Sequence, residues 1–238
     1  MHMLGVIGGL GPMATAFFMQ MAIEMTEAGT DQEHIEMIVY NCPSIPDRTS
    51  YIVGQSGENP GIPMAEAGRK LAAFGAEIIA IPCVTANYFY RQLSAEIPVP
   101  VINVIEEAAG YLADEGVSTV GIMATDGTIR SGLFQKALQL RGIRAVLPGE
   151  ASQKDVMHLI YEDVKATKPA EMDRFARVSC QLREKGAQVI VLGCTELSMI
   201  RRDEQIGAGY LDVMQLLAKC SVEACGTLKK EYRQLITT

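Results

Sequence analysis

Residues 75–85 and 186–195 repeat a single pattern. Gly75-Ala76-Glu77 opens the first stretch and Gly186-Ala187-Gln188 the second. Each then runs through apolar, largely β-branched residues and stops at a cysteine, Cys83 or Cys194. A short apolar run bounded by Gly or Pro reads as a strand buried on both faces, the situation of a strand inside a parallel sheet. Ligands of open α/β sheets bind beyond the carboxyl ends of the strands. Both thiols are therefore expected where chemistry takes place.

The remaining chain alternates strand and helix around these two segments. Leu4–Ile7 is an apolar strand leading into Gly8-Gly9-Leu10-Gly11-Pro12, and a helix follows with Met13, Phe17, Met21 and Ile23 on an apolar stripe. Gly9, Gly11 and Ala14 fit a loose dinucleotide fingerprint. That reading requires an acidic residue at the end of the next strand, residues 35–40, where Asn41-Cys42 stands instead. The glycines are read as an approach to a small anionic ligand or as a tight turn. Helices are expected over residues 64–74, 88–96 and 106–115, with a strand over 97–104 that Pro98 and Pro100 interrupt.

Thr119–Thr125 restarts the pattern, followed by a turn at Asp126-Gly127-Thr128. Helices are then expected over residues 131–141, 153–166, 169–185 and 210–235, with a short strand at 145–148. Gly5 and Gly121 lie 116 residues apart, and Cys83 and Cys194 lie 111 apart. That period suggests a duplicated half-domain rather than a solenoid. The expected fold is α/β, in two pseudo-symmetric lobes, each a mostly parallel sheet flanked by helices, with the active site in the cleft between them. The expected boundaries are 1–113 plus 210–238 for the lobe with Cys83, and 114–209 for the lobe with Cys194.

The formal charge of −7 and the lack of a basic run argue against nucleic acid as a partner. Apolar stretches fall well short of the roughly 20 residues of a spanning helix, and no signal peptide is apparent at the amino terminus. A cytoplasmic location with free thiols is expected from six cysteines in a chain of this length.

Zinc is a poor reading because no Cys-x-x-Cys pair is present. A Cys–His hydrolase is poorly served as well, since none of His2, His34 and His158 stands at a strand end. Cys42, Cys180, Cys220 and Cys225 are read as packing residues, and His158 as structural. Arg48, in a loop held by Pro43 and Pro46, offers a fork suited to carboxylate; composition alone favours a surface arginine paired with a neighbouring Asp. Two thiols on matching strand ends suit one further task. One removes a proton from a carbon, and the other returns one on the opposite face.

Several motifs resemble the aspartate/glutamate racemase family. They are Gly8-Gly9-Leu10-Gly11-Pro12-Met13-Ala14-Thr15, the loop Pro43-Ser44-Ile45-Pro46-Asp47-Arg48-Thr49, the segment Ile160-Tyr161-Glu162-Asp163-Val164-Lys165, and Gly193-Cys194-Thr195-Glu196-Leu197. The resemblance implies a cofactor-independent racemase of aspartate and/or glutamate, often dimeric, with no PLP and no metal. It makes Cys83 and Cys194 the bases, and Arg48 and Lys165 the groups that bind substrate carboxylate. Gly9, Asn41, Val84, Thr85, Thr125, Thr128 and Thr195 are the further substrate-binding positions it implies.

The chain departs from the family at the first cysteine, where Cys-Asn-Thr-Ala-His is usual and Cys83-Val84-Thr85-Ala86-Asn87 stands. Val84 removes an amide expected to touch substrate, and Asn87 does not titrate as His does. The alternatives are another isomerase or a decarboxylase of the same superfamily acting on a dicarboxylate, and a non-catalytic amino-acid-binding protein.

Overall fold

The computed structural model describes residues 2–238; Met1, at the head of the expected first lobe, lies outside it. The chain forms two compact units. One comprises the residues up to Val104 together with Met214–Leu235, and the other Ile105–Val213 with Ile236–Thr238.

The first unit is built on β1 (Leu4–Gly8), β2 (Met37–Asn41) and β3 (Ile78–Ala80), all parallel, in the order β2-β1-β3. Its helices are α1 (Pro12–Met25), α2 (Arg48–Ile52), α3 (Gly61–Ala73) and α4 (Tyr90–Glu96). The next helix, α5 (Val104–Asp114), falls almost wholly in the second unit. That unit is built on β4 (Thr119–Met123), β5 (Arg144–Val146), β6 (Val189–Leu192) and β7 (Tyr210–Asp212), parallel, in the order β5-β4-β6-β7. The helices α6 (Asp126–Ser131), α7 (Leu133–Gln139), α8 (Glu150–His158), α9 (Met172–Glu184) and α10 (Thr195–Asp203) belong to it, and α11 (Val213–Cys225) returns the chain to the first unit. The α/β architecture with two parallel sheets flanked by helices is as expected. No helix among the described residues is long and apolar enough to cross a membrane.

The duplicated Gly-Ala pair has the same job in both units. Gly75 (φ +105) and Gly186 (φ +92) take the left-handed backbone that ends a helix and redirects the chain into β3 or β6. The alanine that follows packs on the central strand. A Cβ at Gly5 of β1 would stand 2.8 Å from the Ala76 Cβ, and one at Gly121 of β4 would stand 3.2 Å from the Ala187 Cβ. Ile7, Leu71, Ile79 and Leu93 fill the core beside the first sheet, and Met123, Phe175, Ile190 and Leu197 fill that beside the second. Each such side chain contributes on the order of 1.5–3 kcal/mol by leaving water.

Several expectations need correction. The strand expected over 97–104 contributes only a single bridge, Val101 to Ile79, because Pro98 and Pro100 have no N–H to give a ladder. The stretch expected to be helical from 210 begins as β7, which pairs with β6. The two compact units divide at 104/105, 213/214 and 235/236. The buried face of α1 is Ala14, Phe18, Met21, Ala22 and Met25, while Met13 and Ile23 are exposed. So many apolar residues crowd this helix that spacing alone does not choose its inner face. The turn at 126–128 is the first turn of α6, and the helix expected over 153–166 leaves the α-helical path after His158.

A buried carboxylate locks α10 to the second sheet. Asp212, at the end of β7 and fully buried, accepts from Ser198 Oγ at 2.6 Å and pairs with Arg201 at 3.2 Å. Asp212→Ala is expected to cost about 3 kcal/mol or more, since it strands a partly buried guanidinium and a buried hydroxyl. Urea unfolding followed by circular dichroism measures this loss.

Candidate active site

The carboxyl ends of β1, β2 and β3 carry the Gly-rich turn, the Asn41-Cys42 corner and Cys83. Gly9 has φ +90, and a Cβ there would lie 2.4 Å from the Cys42 carbonyl carbon and 2.6 Å from the Pro43 nitrogen. No side chain fits where these two loops touch. Thr15 Oγ1 closes the turn, accepting from Gly9 N–H at 2.9 Å and donating to Gly11 O at 3.0 Å.

Arg48 is buried rather than on the surface. Its guanidinium donates to Ile45 O at 3.2 Å, Pro46 O at 2.9 Å and Leu10 O at 3.0 Å. It thus ties the Pro-rich loop to the Gly-rich turn. Asp47 caps α2, accepting from Ser50 N–H at 2.8 Å.

Cys83 is buried, and so are Val84 and Thr85 after it. It caps a 3-10 turn, Val84–Phe89, with its carbonyl accepting from Ala86 N–H at 3.1 Å. Asn87 donates to Val84 O at 3.0 Å and so fastens the same turn. Asn41 is exposed at the end of β2.

The second unit repeats the arrangement beyond β4 and β6. Thr125 caps α6, its Oγ1 accepting from Thr128 N–H at 3.2 Å and donating to Thr128 Oγ1 at 3.1 Å, with both residues buried. Cys194, also buried, is the cap of α10, where the positive end of the helix favours an anion. Its Sγ donates to Glu196 Oε2 at 2.8 Å, and Thr195 Oγ1 donates to the same oxygen at 3.1 Å. Lys165 Nζ lies 4.0 Å from Glu196 Oε1 and 4.3 Å from the centroid of the Tyr161 ring.

Burial pushes the Cys194 thiol well above its ordinary range, and the Glu196 carboxylate pushes the same way; Lys165 opposes them. Cys194 therefore keeps its proton at neutral pH. Glu196 stands within the second-cysteine motif, yet the motif alone gives it no role. The signal that could have found it is an acidic residue two positions after a strand-end cysteine, where the first turn of a helix folds it back.

The other cysteines are free thiols, and Cys180 is exposed, so the packing role expected for it does not hold. Burial raises Cys225 to about 11. His158, Asp163 and Glu171 form the one cluster among the described residues with a metal-like donor set.

Each unit, built on a parallel sheet, presents a buried cysteine as the cap of the helical turn beyond that sheet. The chain belongs to the Asp/Glu/Hydantoin racemase family, whose model matches residues 7–220. It is similar to the broad specificity amino-acid racemase RacX of Bacillus subtilis, with 26% identity covering 92% of this chain and 96% of that one. Among solved structures it resembles the Picrophilus torridus aspartate racemase, with 29% identity, a TM-score of 0.88 and 98% of each chain covered. The Francisella tularensis glutamate racemase in complex with D-glutamate shares the fold, with 16% identity, a TM-score of 0.69 and coverage of 100% of this chain and 83% of that one. The protein is an isomerase of the racemase type.

Proposed function

We propose that this racemase interconverts L- and D-aspartate and/or glutamate without a cofactor, with Cys83 and Cys194 as its two bases. The observation that carries the reading is the repeated placement of a buried cysteine as the cap of the helical turn beyond β3 and beyond β6. In one direction Cys83, as thiolate, takes the α-proton; the C–H bond breaks, an S–H bond forms, and the electron pair stays on the α-carbon. Cys194, which holds its proton, delivers it to the opposite face. In the other direction Cys194 must first lose its proton, and Glu196 is the acceptor within reach at 2.8 Å.

Acid–base catalysis supplies only about 10²–10⁴ in rate. The remaining stabilisation of the carbanion is assigned to fixed charges and dipoles: the α10 amino terminus, the Lys165 ammonium and the Thr125–Thr128 hydroxyls. Arg48 shapes the loops around the substrate carboxylate from its carbonyl anchors. Val84 in place of an amide leaves that part of the pocket apolar. One methylene is worth roughly 1–3 kcal/mol in such a pocket, enough to choose between aspartate and glutamate.

The test is proton NMR in D₂O with L-Asp, D-Asp, L-Glu and D-Glu in separate tubes and no added cofactor. The expected result is loss of the α-proton signal with appearance of the opposite enantiomer in at least one tube. If no tube exchanges, the amino-acid assignment fails and other dicarboxylates become the candidates.

A further inference from the structure

Lys165 ends a stretch that an ordinary helix would not produce. Leu159–Val164 is π-helical, and Lys165 N–H donates to Ile160 O, five residues back, at 3.0 Å. A π turn holds one more residue than an α turn, so side chains after it are rotated by about 100° relative to an unbroken helix. The far side of the turn is also unusual. Thr167 has φ +58, the only positive φ at a non-glycine among the described residues. Lys168 N–H donates to Asp163 O at 2.9 Å there.

Three side chains fasten this irregular stretch. Asp163 is buried, and its Oδ2 accepts from Glu171 N–H at 2.9 Å while its Oδ1 lies 3.3 Å from His158 Nε2. The same Nε2 lies 3.0 Å from Glu171 Oε1. Glu171 is held in turn by Arg174 Nε at 2.8 Å. The end of α8, the π turn and the residue before α9 are thereby knotted together. The knot suits a metal ion poorly, because the Arg174 guanidinium would repel a cation and an amide already occupies Asp163 Oδ2.

We propose that the His158–Asp163–Glu171 cluster is the positioning device for Lys165, holding the π turn in the register that sets the ammonium beside Glu196 and over Tyr161. The inference rests on reading Lys165 as part of the Cys194 site. The three residues act through Lys165 and touch no reacting atom. Relaxation of the turn to an α-helix would swing Lys165 around the helix axis and away from Glu196.

The test reads Lys165 directly. Lysines are reductively methylated with ¹³C-formaldehyde, and the Lys165 resonance is identified by its loss in Lys165→Arg. The Tyr161 ring is expected to displace that resonance from those of exposed lysines. Asp163→Asn and His158→Gln are each expected to move it back among them, and His158→Gln carries the test should Asp163→Asn fail to fold. In the kinetic arm, Asp163→Asn is expected to lower kcat/KM about tenfold, yet to add nothing in a Lys165→Ala background, whereas a general structural defect would cost the same in both. A resonance that neither variant moves, one that already lies among exposed lysines in the unaltered protein, or full additivity overturns the proposal. The resonance is read whether or not any amino acid is racemised, so failure of the racemase reading is a separate result.

Discussion

Replacing Cys83 or Cys194 by Ser is expected to lower racemisation by about 10²–10⁴, the range that positioned acid–base groups contribute. The two losses should differ in kind. With one thiol gone, the remaining one still removes the α-proton from the enantiomer it faces and returns deuterium from solvent to the same face. Each variant should therefore exchange one enantiomer without inverting it, and the two variants should choose opposite enantiomers. Chiral chromatography alongside NMR in D₂O separates exchange from inversion. Variants that both keep full inversion would remove the two-base assignment.

The pH dependence follows from the raised pKa of Cys194. A group raised in this way is protonated over the neutral range and becomes a base only as pH rises. In the Cys83→Ser variant, where Cys194 is the thiol left to remove the α-proton, exchange in D₂O should thus gain rate as pH rises through and beyond the ordinary thiol range. Glu196→Gln removes a negative neighbour, so it should bring the Cys194 thiol down toward its ordinary range. A titration of thiolate absorbance, compared with the same variant lacking Cys194, measures the move.

Gly9→Ala is expected to cost roughly 3–5 kcal/mol, combining a strained left-handed backbone with a Cβ pressed against main chain. The obstacles are the Cys42 carbonyl carbon and the Cys42 and Pro43 nitrogens, which no rotamer change can move aside. Relief requires the two loops to part, and Arg48 bridges them through Leu10 O and Pro46 O. Activity should fall with stability even though position 9 carries no reactive group. Gly57→Ala is the control, since nothing lies within 4 Å of a Cβ there. It should be neutral or stabilise by up to about 1 kcal/mol through the unfolded state. Urea midpoints for the two variants decide the matter, and equal midpoints would contradict the close approach.

Features carried by adjacent residues are legible in the amino-acid sequence. The Gly75-Ala76 and Gly186-Ala187 repeats mark two matching strands, because an apolar run after a left-handed glycine is a local signal. The same runs place Cys83 and Cys194 at strand ends. Features that depend on distant partners are not legible in this way. The face of α1 that turns inward is chosen by what the folded chain packs against it, not by a stripe within a helix rich in Met, Phe and Ala. Tyr210–Asp212 reads as well for helix as for strand until β6 offers it a ladder. Arg48 reads as a surface cation, and three carbonyls from two loops make its burial tolerable.

The sequence by itself determined the α/β class, the duplication and the two strand-end thiols, since each follows from the periodicity and punctuation of a few consecutive residues. Tertiary structure alone decided that α10 hangs on Asp212 and that Lys165 leaves a π turn knotted by His158, Asp163 and Glu171. The physical reason is range. Local propensity acts over one turn or one strand, whereas these contacts form only once burial has made unpaired polar groups too costly to leave without partners.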